Sequence, residues 1–296
     1  MLKTIQQLVI VVILVIFVTG LPLSLHPGPN FQSIEFHPMN IWDALVNYAH
    51  NFSEEPLGTY EVESERGTFS QERSVAEDIL PYAVHSFVLI LCSLLIAVTV
   101  TLLFGVIFTR SWIAKVVRSV MDTVAVIPDF VFIVLSVFVA VQVYQWTGIR
   151  VLTLSTQKPS AALWFPILIL SFAPTLYLLK LLYLKHYQVA GEDYVRTALA
   201  KGMGKLYINF QHIFKNVKPF LVADLKKTIS LTVGNLFIVE YLLNVQGLTY
   251  FIFFDRTHYE FQTTMSCLFI ILFEALIVYG LVRLFLYLFE KVFVHE

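Results

Sequence analysis

The stretch PYAVHSFVLILCSLLIAVTVTLLFGVIF, which runs from Pro81 to Phe108, contains no Asp, Glu, Lys or Arg. A helix needs about 20 predominantly apolar residues to cross the hydrocarbon core of a bilayer, so this stretch is predicted to span a membrane. The composition agrees, because 57% of the 296 residues are hydrophobic, 14% are charged and the mean hydropathy is +0.74. Soluble domains carry about 25% charged residues. The chain is therefore predicted to be a membrane protein.

Five further segments are long or apolar enough to span a membrane, and together they predict an all-α polytopic protein with six transmembrane helices. The predicted spans are approximately Ile5–Leu25, Pro81–Phe108, Val120–Trp146, Ala161–Leu184, Thr228–Leu243 and Thr264–Leu288. They divide the chain into an N-terminal anchor helix (1–25), a long segment (26–79), a five-helix core (80–288) and a short tail (289–296).

The charges between these spans predict their orientation. The segment from His26 to Asp78 holds two basic residues against ten acidic ones, whereas the stretch between the fourth and fifth spans is rich in Lys and Arg. Because Lys and Arg concentrate in cytoplasmic loops, segment 26–79 is predicted to be external, and both chain ends and the stretch 186–219 to be cytoplasmic. The external segment is too long for a simple connector, so it is expected to fold.

Several classes of function lack their sequence signatures. The formal net charge of −1 offers no basic field for nucleic acid, and the only cysteines, Cys92 and Cys267, cannot form a disulfide framework. The run from Gly202 to Lys205 lacks the upstream glycine and the hydroxyl residue of a phosphate loop, and no zinc-protease or serine-hydrolase pattern occurs. The chain is therefore predicted to be non-catalytic and to bind no cofactor, nucleotide or metal itself.

Polar side chains inside the predicted spans are candidates for a transport path, because buried ionisable groups in a membrane are costly. Asp122, Asp129 and Ser136 recur at seven-residue spacing in the third span. Such a face can line an aqueous path or join helices through hydrogen bonds, and both interpretations stay open.

The same two interpretations apply to the last two spans. In the fifth span Thr232 and Asn235 share one helical face, and Glu240 lies near its predicted outer end. Glu274 in the sixth span is either a pathway residue or a partner for another buried polar group.

The cytoplasmic stretch contains the most distinctive motif. Residues Glu192 to Gly202 read EDYVRTALAKG. This run closely resembles the EAA loop of binding-protein-dependent ABC permeases, in the form used by the oligopeptide, dipeptide and nickel permease family. The likeness continues at His212, Asn216 and Pro219, and again at Ile238-Val239-Glu240 and Gly247-Leu248.

The resemblance implies a permease subunit of an ATP-driven importer in a bacterial inner (plasma) membrane, with oligopeptides or similar small solutes as substrates. It implies a second homologous permease, two ATPase subunits that carry ATP and Mg, and an extracellular solute-binding protein as partners. The alternative is a secondary transporter driven by an ion gradient, with Asp129, Glu240 and Glu274 as coupling carboxylates.

The resemblance also assigns ATPase docking and coupling to one set of residues. They are Asp193, Tyr194, Val195, Arg196, Ala198, Leu199, Lys201, Gly202 and Met203.

Helical periodicity gives an independent prediction for the same stretch. Val195, Ala198, Leu199, Met203 and Leu206 follow helical spacing, so they form an apolar face that a protein partner or the chain's own helices must cover. The glycine at position 202 is predicted to end this helix through a positive φ or a close backbone approach.

Overall fold

A computed structural model describes residues 2–27, 34–52, 57–63, 70–104, 127–152, 163–253 and 260–293, with a few isolated positions between 104 and 127. Helices dominate these residues. The elements are α1 (Leu2–Ser24), β1 (Leu25–Pro27), β2 (Ile34–Phe36), α2 (Met39–Asn51), β3 (Thr59–Glu63), β4 (Ser70–Ser74), α3 (Val75–Leu102), α4 (Asp129–Thr147), α5 (Trp164–Ala190), α6 (Asp193–Ala200), α7 (Lys205–Ile208), a π-helix (Asn209–Phe214), α8 (Lys215–Leu242), α9 (Leu248–Phe253) and α10 (Phe261–Phe293).

Four helices in the described part of the chain are long and apolar enough to cross a membrane: α3, α4, α5 and α10. This confirms a mostly helical, polytopic membrane protein. Helices α1 and α8 lie where the first and fifth spans were predicted. Neither helix is among the four, and α8 is the more polar of the two. The count of six spans therefore stays a prediction.

The third span begins later than the sequence indicated. A single helix from Val120 to Trp146 is wrong at its start, because α4 begins at Asp129 after an extended Pro128 with ψ 142°. Proline also disfavours helical geometry at the residue before it, so a helix arriving from Val120 is interrupted here. Asp122 lies outside the described residues, as does Phe108 at the predicted end of the second span. Helix α4 ends at Thr147, close to the predicted Trp146, and Gly148 caps it with φ +71°.

Helix α8 begins well before the predicted span at Thr228. Its first half buries Val217, Leu221 and Leu225, which recur every four residues and pack into the core. Because this apolar stripe packs against the core, the helix extends through the basic stretch that precedes Thr228. Pro219 lies inside this helical stretch, where it removes one backbone hydrogen-bond donor.

One compact unit combines residues 1–84 with residues 247–273. It contains two antiparallel hairpins, in which β1 pairs with β2 and β3 pairs with β4. The hydroxyl of Tyr60 donates a 2.7 Å hydrogen bond to the Asp78 carboxylate, and its ring packs edge-on against Phe251. Segment 26–79 therefore contains folded structure, as its length predicted.

The other unit combines residues 85–246 with residues 274–296. Its core lies between α4, α5 and α8, joined by the parts of α3 and α10 that belong to this unit. Leu94, Leu178, Leu225, Leu236 and Val278 are almost completely buried there. These side chains supply the apolar contacts that position the polar groups described next.

Candidate functional site

Helix α6 follows α5 after a short turn and carries most of the predicted coupling residues. It begins after an extended Glu192, and the hydroxyl of Thr197 donates to the carbonyl of Asp193 at 2.9 Å. The amide Nδ2 of Asn216 donates to the Tyr194 hydroxyl oxygen at 3.0 Å, which connects α6 to α8. Helix α6 is therefore held against the helix that leads back into the predicted membrane region.

The apolar face of α6 is divided between two environments. Val195 and Ala198 are only 2% and 4% exposed and belong to the chain's own core. Tyr194, Leu199 and Met203 lie beside them with 43%, 40% and 37% exposure. The buried pair anchors the helix, and the other side chains remain available for a partner.

The end of α6 has the hydrogen bonds of a Schellman motif. The amide of Gly202 donates to the Leu199 carbonyl at 3.0 Å, and the amide of Met203 donates to the Ala198 carbonyl at 3.3 Å. Gly202 has φ +75°, and a Cβ added there would meet no atom within 4 Å. The predicted positive φ is confirmed, and close backbone approach is not the reason for this glycine.

The surface around this cap is both apolar and charged. We use the term exposed loop face for Tyr194, Leu199, Met203 and Leu206, which are all exposed. Arg196 and Lys201 are also exposed, and the Arg196 guanidinium lies 3.6 Å from the Asp193 carboxylate. An ion pair this exposed contributes little to stability. Burial of the Tyr194 hydroxyl raises its pKa, and the nearby Glu192 charge acts in the same direction, while the Asn216 hydrogen bond opposes them.

An aromatic cluster lies directly after this surface. The π-helix Asn209–Phe214 brings the ring of Phe210 into a stack with Phe293 at 5.4 Å and the ring of Phe214 edge-on to Phe289 at 5.5 Å. Lys218 forms an ion pair with Glu290 beside them. Sequence reasoning missed this link to α10, although Phe210 and Phe214 share the four-residue spacing of Phe289 and Phe293.

A cleft of about 610 Å³ opens between α4, α5 and α8. Asp129 and Asn235 both line it, with the Asn235 amide nitrogen 3.5 Å from a carboxylate oxygen of Asp129. Lys180 and Lys227 line the same cleft, so it presents both negative and positive groups. The other lining residues are Val124, Ile127, Ala173, Leu176, Tyr177, Ser230, Leu231 and Gly234.

The other two predicted path residues lie outside this cleft. Thr232 is completely buried, and its hydroxyl donates to the Thr228 carbonyl of its own helix at 3.0 Å. Glu240 is also completely buried and accepts a 2.6 Å hydrogen bond from the Ser86 hydroxyl. Glu274 is 5% exposed, and one of its carboxyl oxygens is buried without a hydrogen-bond partner among the described residues. The structure thus brings Asp129 and Asn235 together at the cleft. Thr232 and Glu240, the other two predicted path residues, do not line it.

A comparison with protein families gives a match over much of the chain. The profile of the family described as the binding-protein-dependent transport system inner membrane component matches residues 97–294. The matched region contains α4 to α10, and therefore includes the cleft, the exposed loop face and the aromatic cluster. A search of curated proteins finds no match to the chain.

Proposed function

The chain belongs to the binding-protein-dependent transport system inner membrane component family, the permeases of ABC importers, and from this premise we propose that it imports oligopeptides or similar small solutes. The family implies a membrane and association with ATPase and binding-protein partners. In the complete importer, we infer, six spans of this chain pair with a second homologous permease, and two ATPase subunits dock on the cytoplasmic side. An extracellular binding protein delivers the solute. Both termini then lie in the cytoplasm of a bacterial cell.

The observation that carries this proposal is the exposed loop face. Leu199, Met203 and Leu206 are apolar side chains on a short helix and turn that follow a membrane-spanning helix directly. An exposed apolar patch rimmed by charges is typical of a protein–protein contact. We infer that this segment is the EAA-type coupling loop, and that the ATPase covers this face. Val195 and Ala198 then hold the loop in place, because their side chains pack into the core.

The cleft between α4, α5 and α8 supports a solute path. A carboxylate on a membrane-spanning helix is costly unless it is paired or hydrated, so Asp129 at an open cleft suits an aqueous route. The cleft also carries the ammonium groups of Lys180 and Lys227. A surface with charges of both signs complements a zwitterion such as a peptide, whose amino and carboxyl ends carry opposite charges. We therefore favour peptides over simple cations as the solute.

The coupling loop can be tested at Gly202 with Gly204 as a matched control. Gly202 has φ +75°, whereas Gly204 has φ −61°, and a Cβ at either position meets nothing within 4 Å. A valine is therefore strained at position 202 alone, at a cost of about 1 to 3 kcal/mol. In the importer purified through a tag on this chain and reconstituted in liposomes, Gly202→Val should weaken ATPase attachment or uncouple ATP hydrolysis from uptake. Gly204→Val should leave both unchanged.

A second pair of variants tests the docking surface without altering the backbone. Leu199→Glu places a charge on the exposed loop face, and Ala200→Glu places the same charge on the neighbouring exposed position of α6. Only the first should reduce the amount of ATPase that copurifies. If all four variants behave as wild type, this loop is not the coupling element. Uptake that follows an ion gradient without ATP would instead support a secondary transporter.

A further inference from the structure

Helix α2 has three stripes rather than the two of an ordinary surface helix. At about 100° per residue, Ile41, Leu45 and Tyr48 form one stripe, which is partly buried. The second stripe is apolar and exposed, and the third is polar and exposed. The apolar stripe consists of Met39, Trp42, Val46 and Ala49, and the polar stripe consists of Asp43, Asn47 and His50.

The partly buried stripe faces the end of α1. A Cβ at Gly20 would lie 2.7 Å from the Ile41 side chain. Helices α1 and α2 therefore pack so closely at this point that no larger residue fits without a shift. The amide of Asn40 donates to the Leu23 carbonyl at 3.0 Å, and the backbone amide of His37 donates to the Ser24 carbonyl at 2.8 Å. Helix α2 is therefore fastened beside the last turns of α1.

The position of α2 determines what its exposed apolar stripe can meet. Helix α1 exposes Ile13, Leu14 and Phe17, a surface suited to lipid tails, and it ends at Ser24. The end of a membrane-spanning helix marks the boundary between hydrocarbon and headgroups. A helix packed at this boundary lies at the level of the headgroups, where tryptophan is enriched. Trp42, at the centre of the apolar stripe, is 62% exposed.

We propose that α2 is an interfacial helix, with its stripe of Met39, Trp42 and Val46 embedded in the lipid surface on the side where α1 ends. The order of the stripes supports this arrangement, because the apolar stripe lies between the face packed on α1 and the polar face that water covers. The polar stripe carries Asp43 and no Lys or Arg. Apolar side chains therefore hold α2 in the lipid surface, and this binding does not depend on anionic lipid. The inference rests on α1 being a membrane span, as in the proposed function.

Site-directed spin labelling of the whole chain tests this arrangement. In a background with Cys92→Ala and Cys267→Ala, single cysteines replace Trp42 and Asn47, which lie on the apolar and polar stripes respectively. The labelled protein is reconstituted in phosphatidylcholine vesicles with or without phosphatidylglycerol, and the accessibility of each label to oxygen and to a water-soluble nickel chelate is measured. Val46→Cys repeats the measurement on the apolar stripe, so the result does not depend on one variant.

Labels at positions 42 and 46 should be severalfold more accessible to oxygen than to nickel, the label at position 47 should show the reverse, and added phosphatidylglycerol should change neither. Equal nickel accessibility at all three positions would show that α2 is covered by water and would overturn the proposal. Protection of positions 42 and 46 from both reagents would show a protein occupant, such as a second copy of the chain, and would overturn it equally. Transport is not the readout, so either failure leaves the permease assignment unaffected.

Discussion

Two carboxylates of the helical core, Asp129 on α4 and Glu240 on α8, occupy opposite environments in this protein. Asp129 lines an open cleft beside Asn235 and shares it with two lysines. Glu240 is fully buried and accepts a hydrogen bond from the Ser86 hydroxyl. Both have a polar neighbour within the same unit, so the presence of a partner does not distinguish them.

The two carboxylates differ in whether a solute can reach them. A group that acts on a solute must be reachable, whereas a group that joins helices must be enclosed so that its hydrogen bond has no competition from water. We therefore expect changes at Asp129 to affect transport and changes at Glu240 to affect stability. Substitutions at three positions, each with a comparison variant, test this separation.

The largest effect is expected at Glu240. Glu240→Ala removes a buried side chain and the acceptor of the Ser86 hydrogen bond, which together cost about 2 to 4 kcal/mol of unfolding free energy. Thermal unfolding of the purified protein in detergent measures the loss. Glu240→Gln retains an acceptor of similar volume and should lose less than about 1 kcal/mol. Lost uptake with unchanged unfolding in both variants would place Glu240 in the path.

A smaller effect, on transport alone, is expected at Asp129. Asp129→Asn retains the shape and the contact with Asn235 but removes the negative charge from the cleft. Uptake by the reconstituted importer should fall about tenfold, which corresponds to about 1.4 kcal/mol, while the unfolding temperature stays the same. Asp43→Asn makes the same chemical change outside the cleft and serves as the control. Normal uptake by Asp129→Asn would remove the cleft as a solute route.

The smallest effect is expected at Thr232. Its hydroxyl is already satisfied by the Thr228 carbonyl, so Thr232→Val should change the unfolding free energy by only about 0.5 kcal/mol and leave uptake unchanged. Ser230→Val, on the same helix but in the cleft lining, should reduce uptake because it adds apolar bulk to the path. Reduced uptake in Thr232→Val with normal uptake in Ser230→Val would reverse the assignment of the two faces.

The sequence predicted what local chemistry determines. The apolar blocks predict membrane helices because a bilayer requires their length. Gly202 is predicted to end a helix through a positive φ or a close backbone approach, and the structure shows the positive φ. The predicted third span begins at Val120 because the apolar pattern continues on both sides of Pro128, whereas α4 begins at Asp129. That error was avoidable, because a proline restricts the residue before it in any context.

The sequence could not predict what distant residues determine. One helical stripe of α6 contains both buried Val195 and exposed Leu199, and periodicity cannot tell packing on the chain's own core from docking on a partner. The same limit applies to Thr232 and Asn235, which share a helical face although only Asn235 reaches the cleft. The contact of Phe214 with Phe289 joins positions far apart in the chain, and no local pattern encodes it.

Helix α8 has a mechanical consequence that follows from its continuity. Its 28 residues run unbroken from Lys215 to Leu242, a rod of about 42 Å. Asn216 lies at one end and contacts Tyr194 of the loop that we assign to the ATPase, and Asn235 and Glu240 lie towards the other end. A rod pivoting at its base is a lever, so a tilt of about 5° moves the far end by about 4 Å at this length. If α8 tilts about its loop end, as the proposed coupling requires, a small movement at the loop gives a larger displacement at the far end of the helix.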